Sequence, residues 1–169
     1  MEGIQLIELK PECRQRAVEL AAMAREIWME HYTPIIGAAQ VEYMLNKFQS
    51  AQVILNDISS NGYRYFIAYD NQKQAGYCAI KADSDVGGLF LSKLYIRKEY
   101  RGHGISRLML NKLIAISKKN NLDYIWLTVN KHNSSVDIYK RLGFRIVEEI
   151  VTDIGDGYVM DDYRMKLTI

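Results

Sequence analysis

The spacing of apolar residues changes period along the chain. Ile4 to Leu9 alternates as a short first strand does. Pro11 is expected to open a helix at its first turn, where a missing N–H costs nothing. That helix carries Val18, Ala21, Ala22, Ala24 and Trp28. It is expected to end near Tyr32, because Pro34 disfavours helical backbone in Thr33. Val41, Met44, Leu45 and Phe48 then fall at helical spacing. Gln52 to Ser59 reads as a further helical piece, closed by a turn at Asn61-Gly62. Beyond it the period shortens to that of strands. Tyr63 to Asp70 and Gln74 to Ala82 form a hairpin around Asn71 to Lys73, and Leu89 to Ile96 is a third strand of this group.

A charged loop, Arg97 to Arg101, leads through Gly102-His103-Gly104 into an amphipathic helix with Ile105, Leu108, Met109, Leu113 and Ile116 on one face. Tyr124 to Val129 is a compact buried strand. Asn133 or Ser134 caps a short helix that stops at Gly143, suited to a left-handed cap. Phe144 to Ile154 and Tyr158 to Ile169 close the chain as a hairpin around Gly155-Asp156-Gly157. The order of elements predicts a mixed α/β fold, α+β-like, in which a mostly antiparallel sheet is flanked by helices.

Composition narrows the class. The 169 residues suit one domain, 1–169, and 49% of them are apolar, enough for a sizeable core. Against 22 basic residues stand 20 acidic ones, and a net charge of +2 gives no reason to expect a nucleic-acid partner. Basic residues do gather between Lys93 and Lys119, which fits a local anion site. The two cysteines, Cys13 and Cys78, make neither a ligand pair nor a disulfide framework, so a reducing compartment is expected. The first residues lack the basic start and apolar run of a signal peptide, and no stretch reaches membrane-spanning length. A cytoplasmic protein with no membrane partner is the expectation.

The densest chemistry lies where strand Leu94-Tyr95-Ile96 feeds Arg101-Gly102-His103-Gly104-Ile105-Ser106-Arg107. A helix N-terminus offers unpaired N–H groups and a positive dipole end to an anion. Glycines let backbone approach a phosphate without an intervening Cβ. Arg101 and Arg107 are placed to add charge-assisted bonds. A Walker loop needs Lys and Ser or Thr after its last glycine, and none is present. A dinucleotide fingerprint needs glycine or alanine at position 107, which is arginine, and would follow the first strand of its unit. The same glycines also suit a plain strand-to-helix turn.

Arg101-x-x-Gly104-x-Ser106 resembles the pyrophosphate signature of the Gcn5-related N-acetyltransferase (GNAT) family, with Ser106 in place of the glycine or alanine expected last. Ile125-Trp126-Leu127-Thr128-Val129-Asn130, followed by Asn133 to Tyr139 and Lys140-Arg141-Leu142-Gly143-Phe144, resembles that family's second motif. The region from Leu94 to Phe144, with the late segment Gly157 to Asp162, is similar in texture to the bacterial spermine/spermidine acetyltransferase branch. This resemblance implies the GNAT fold, a sheet of about seven strands, and acetyl-CoA as co-substrate with no metal. It implies a pantetheine arm lying along a strand edge, Asn133 near that arm, and Tyr139 beside the sulfur as general acid. It also implies that a backbone N–H within Leu94 to Ile96 takes the tetrahedral oxyanion.

The same family accepts amines of several kinds. A small primary amine or polyamine is the first expectation, held by Glu30 and the late acids Asp156, Asp161 and Asp162, with Trp28, Tyr32 and Tyr158 as aromatic partners. A protein N-terminus or lysine is the alternative acceptor, and a catalytically silent CoA-binding regulatory module is the alternative of another class; a homodimer is compatible with each of these readings. Glu30, His31, Asp83, Asp85 and Glu99 are candidates for the base that deprotonates the amine, each with solvation as its ordinary role. His103 reads as part of the loop rather than as a base.

Overall fold

The structure is a computed structural model that describes residues 3–83 and 87–169. Asp85 lies outside them. The elements run β1 (Ile4–Glu8), α1 (Arg14–Ile36), α2 (Ala38–Phe48), α3 (Ala51–Ser60), β2 (Tyr63–Asp70), β3 (Lys73–Asp83) and β4 (Gly88–Ile96). A 3-10 turn, Lys98–Tyr100, precedes α4 (Ile105–Lys119), and β5 (Tyr124–Asn130), α5 (Ser135–Arg141), β6 (Arg145–Gly155) and β7 (Tyr158–Thr168) follow. The strands form a seven-stranded sheet in the order β1-β2-β3-β4-β5-β7-β6. Ladders β1–β2, β2–β3, β5–β7 and β6–β7 are antiparallel, and β4–β5 is parallel. The expected mixed, mostly antiparallel sheet is therefore present.

Two compact units divide the chain: Met1–Lys81 with Lys93–Met109, and Ala82–Ser92 with Leu110–Ile169. In the first, α1 and α3 bury Ala17, Leu20, Met23, Ala24, Ile27 and Ile54 against Leu9, Tyr65, Ile67, Tyr77 and Ala79 of the strand segment. The helix α1 departs from the sequence expectation at both ends. Pro11 lies in a preceding turn, and the helix starts only at Arg14. At the other end it runs through Pro34 to Ile36, and Gly37 N–H donates to the Thr33 carbonyl at 3.0 Å. A proline in the last turn forgoes a single bond to the carbonyl four residues back, and the cap recovers the end.

One polar knot sits within this unit's core. Lys93 of β4, 8% exposed, holds its Nζ 3.7 Å from Asp57 Oδ2. The Tyr65 hydroxyl donates to the same oxygen at 2.8 Å, and Asn61 donates to Oδ1 at 3.1 Å. Burial pushes the Lys93 ammonium below its usual range, and Asp57 works against that shift. Its charge also lies 5.2 Å from the Tyr65 ring centre.

In the second unit β5 pairs β7 along its whole length, Tyr124 to Asn130 against Thr168 to Asp162. Its parallel ladder with β4 covers only Gly88–Phe90 against Tyr124–Trp126. Among the described residues, Leu127 to Asn130 thus pair in a ladder on one side alone. Phe90 stacks on Trp126 at 4.1 Å, and Arg164 and Lys166 of β7 lie over the Trp126 and Tyr124 rings. The margin strand β6 exposes Val147 and Val151, and its register slips twice, between Ile146 and Glu148 and between Asp153 and Gly155.

Candidate functional site

The glycine turn belongs to the first unit. Gly102 and Gly104 adopt φ of 80° and 77°, the left-handed region that favours glycine. A Cβ on Gly102 would meet nothing within 4 Å, so backbone conformation and not crowding requires glycine there. The first helical bond runs from Leu108 N–H to the Gly104 carbonyl at 3.0 Å. The amides of Ile105, Ser106 and Arg107 then have no intrahelical acceptor and lie at the positive end of α4, whose first turn holds no acid. Ile105 is buried and anchors the turn, whereas His103 and Arg107 are exposed and Ser106 is half-buried.

Arg101 is not a free cation beside this turn. Its Nη1 and Nη2 donate to Glu30 Oε1 and Oε2 at 3.2 and 2.9 Å, and its Nε donates to the Ile96 carbonyl at 3.1 Å. Sequence reasoning gave Arg101 to a phosphate and Glu30 to an ammonium, and the structure bonds the two to each other. Lys98 also stands 4.0 Å from Glu30, and Arg97 pairs with Glu26 one helical turn before it. Nothing local in the chain announces these ties, since Arg97 and Arg101 each lie 71 residues from their glutamate.

The end of β4 is set from two directions. The Tyr95 ring sits 5.4 Å from both Trp28 and Tyr77 and 6.2 Å from Tyr32. Tyr77 is fully buried and donates to Gln49 Oε1 at 3.2 Å; burial raises its hydroxyl well above the ordinary range. On β3, Gly76 offers no side chain, and a Cβ there would lie 2.5 Å from the Tyr95 carbonyl oxygen and 3.1 Å from the Ile96 Cα. The backbone of Leu94, Tyr95 and Ile96 therefore has little freedom. Trp28 and Tyr32 of the predicted acceptor set lie in this aromatic cluster, 4.9 Å apart.

The second motif belongs to the other unit. Asn133, buried, accepts from Ser135 N–H through Oδ1 at 2.8 Å, while its own N–H donates to the Asn130 carbonyl at 2.9 Å. It caps the start of α5, and Ser134 makes no side-chain cap bond. Gly143 at φ 98° ends the helix, with Phe144 N–H donating to the Tyr139 carbonyl at 3.0 Å. Tyr139 is half-buried, its ring edge-on to Phe144 at 5.6 Å. These local bonds fix which way α5 presents its tyrosine.

Nearby in sequence, the Lys131 ammonium lies 2.7 Å from Asp161 and 3.0 Å from Glu149, and both bonds strengthen its protonated form. Asp162, 4% exposed, faces Asn130 across the β5–β7 ladder. Burial, then the neighbouring Asp161 carboxylate, pushes its pKa up to about 6, against the pull of the Thr128 hydrogen bond and Lys131. Tyr158, the remaining predicted acceptor residue, is half-buried at the start of β7, and Asp156 sits at the hairpin tip. Asp83 ends β3, Glu99 lies in the 3-10 turn, and His31 stacks edge-on against Tyr32 at 4.9 Å. Cys78 is buried, with its thiol pushed up to about 12, so it is a poor nucleophile.

A family model for an acetyltransferase (GNAT) domain matches residues 32–167, most of the chain and both motifs. The chain belongs to that family. Membership places it among the acetyl-CoA-dependent N-acetyltransferases. Over 159 residues the GNAT chain is 25% identical to a spermidine N(1)-acetyltransferase of Thermoplasma acidophilum, covering 89% of this chain and 95% of the relative. A shorter stretch of 79 residues is 30% identical to the [ribosomal protein bS18]-alanine N-acetyltransferase of Haemophilus influenzae, 47% of this chain. There the match spans about half of the relative's length, 53%. In structure, the PaiA N-acetyltransferase of Thermoplasma acidophilum, crystallised in complex with coenzyme A, superposes with a TM-score of 0.79 at 24% identity over 99% of each chain. At that identity the likeness speaks for the GNAT fold.

Proposed function

We propose that residues 1–169 form one catalytic domain that moves the acetyl group of acetyl-CoA to a primary amine, with a small amine or polyamine as acceptor, in the cytoplasm. The observation that carries the reading is the left-handed Gly102-x-Gly104 turn, which leaves the Ile105 to Arg107 amides unpaired at the head of α4. That cradle suits a pyrophosphate. The one-sided edge of β5 from Leu127 to Asn130 supports a pantetheine arm that pairs its amides there, next to Asn133. The neutral amine attacks the acetyl carbonyl, and a backbone N–H within Leu94 to Ile96 stabilises the oxyanion. The C–S bond then breaks, Tyr139 gives its hydroxyl proton to the departing thiolate, and the proton shed by the acetylated nitrogen passes to solvent, which restores the Tyr139 hydroxyl.

The long spermidine acetyltransferase match supports the small-amine acceptor. The shorter match to a ribosomal-protein acetyltransferase favours a second reading, acetylation of a protein N-terminal amine. Thiol release is the discriminating measurement, with acetyl-CoA and equal concentrations of spermidine, a lysine peptide and an N-terminal alanine peptide. The expected result is the highest specificity constant for spermidine. Preference for either peptide transfers the assignment to protein acetylation. CoA binding without turnover on any acceptor leaves a silent CoA-binding module.

A further inference from the structure

Helix α1 presents two carboxylates one turn apart, Glu26 and Glu30, a spacing that puts both on the same face. Two arginines with the same spacing, Arg97 and Arg101, bracket the 3-10 turn that leads into Gly102. The pairs meet in order: Glu26 with Arg97, and Glu30 with Arg101. The second pair is bidentate, and the same guanidinium reaches back to the Ile96 carbonyl at 3.1 Å. Arg97 adds a backbone bond, its N–H to the Ala75 carbonyl at 2.9 Å. Both ends of the segment from Ile96 to Arg101 are thus held against α1 and β3.

We infer that Glu30 is a positioning residue for the co-substrate: it holds Arg101 in a fixed fork and thereby sets where the Gly102–Gly104 turn begins relative to the end of β4. The inference rests on the proposed CoA reading of that turn. Three N–H groups of Arg101 are already spent on Glu30 and Ile96, so the charge of Arg101 acts on the loop through the carboxylate rather than by reaching into the cradle. Both side chains of the pair are 38% exposed. Ion pairs of that exposure add little to global stability. An anion cradle built from backbone amides needs its donors within about 0.5 Å of their places. Loss of Glu30 is therefore felt in CoA affinity and not in folding.

The test is calorimetric titration of the full chain with CoA, alongside thermal unfolding and turnover at saturating acetyl-CoA. Glu30→Gln is expected to weaken CoA binding about two- to fivefold, the range of an exposed ion pair, with the loss appearing in the KM for acetyl-CoA and the melting temperature nearly unmoved. Arg101→Lys should lose about as much, and the double variant no more than either single one, because all three lack the same contact. Glu30→Asp, which keeps the charge, should recover part of the loss. Unchanged CoA affinity in Glu30→Gln overturns the inference. So does tighter binding, which would mean the carboxylate competes with phosphate for Arg101. Additive losses in the double variant give Arg101 its own phosphate contact and also overturn it. A Glu30→Gln chain that fails to fold makes the pair structural and removes the positioning role. Should the parent chain itself bind no CoA, the cofactor reading falls first and this one with it.

Discussion

Phe144 meets the Tyr139 ring edge-on at 5.6 Å, so replacing Tyr139 by Phe keeps that packing and removes only the hydroxyl. If Tyr139 supplies the thiolate's proton, Tyr139→Phe lowers turnover about 10- to 1000-fold while CoA affinity stays close to the parent's. Rapid-mix kinetics, where chemistry limits the rate, read this directly; unchanged turnover removes the general-acid role. Asp162 makes a different kind of prediction. Its pKa of about 6 in the fold lies above the ordinary aspartate value, so the folded state prefers it protonated. The stability it lends is complete below about pH 4 and is lost as pH rises through about 6. Asp162→Asn cannot ionise and still offers an oxygen to Thr128. Relative to the parent it should be stabilising by about 1–3 kcal/mol at pH 7.5 and nearly neutral at pH 4, measured by urea unfolding at both. Asp161 and Lys131 are the charged neighbours, and neither is altered. Equal differences at the two pH values would show that Asp162 is not what titrates.

Gly76 shows how one strand disciplines the next. A methyl at that position would stand 2.5 Å from the Tyr95 carbonyl oxygen, closer than any real Cβ contact, and the obstacle is backbone. Tyr95 has little room to retreat, because Trp28, Tyr32 and Tyr77 surround its ring. Gly76→Ala should therefore cost about 1–3 kcal/mol of stability and displace the strand end that carries the proposed oxyanion donor. Turnover is expected to fall about 10- to 100-fold. Steady-state kinetics beside thermal unfolding would check it, and full activity would mean the oxyanion donor lies elsewhere. Among the helices, α1 is where sequence rules fell short. Pro34 was expected to stop it near Tyr32, yet the last turn tolerates one missing N–H, and Gly37 closes the end at Ile36.

Across the whole chain, what could be read in advance was whatever is encoded within a few residues. Alternation and turn glycines marked the strands, Gly143 marked the end of α5, and the two left-handed glycines marked the head of α4. The family match from 32 to 167 takes in residues of both compact units. Contacts between distant segments stayed hidden. Asp57 with Lys93 and Glu30 with Arg101 are ordinary surface-type residues in the sequence, and only folding brings each pair together. One further trait belongs to this scale. As the last strand of the sheet order, β6 offers eleven residues with exposed valines along a margin that no other strand covers among the described residues. A regular edge of that length is a template for open-ended aggregation. The slips beside Val147 and Ile154 break its regularity, and the stretch between them carries Glu148, Glu149 and Asp153. Those slips work against the regular pairing of two such edges, so the irregular margin of the sheet acts as a brake on fibre growth.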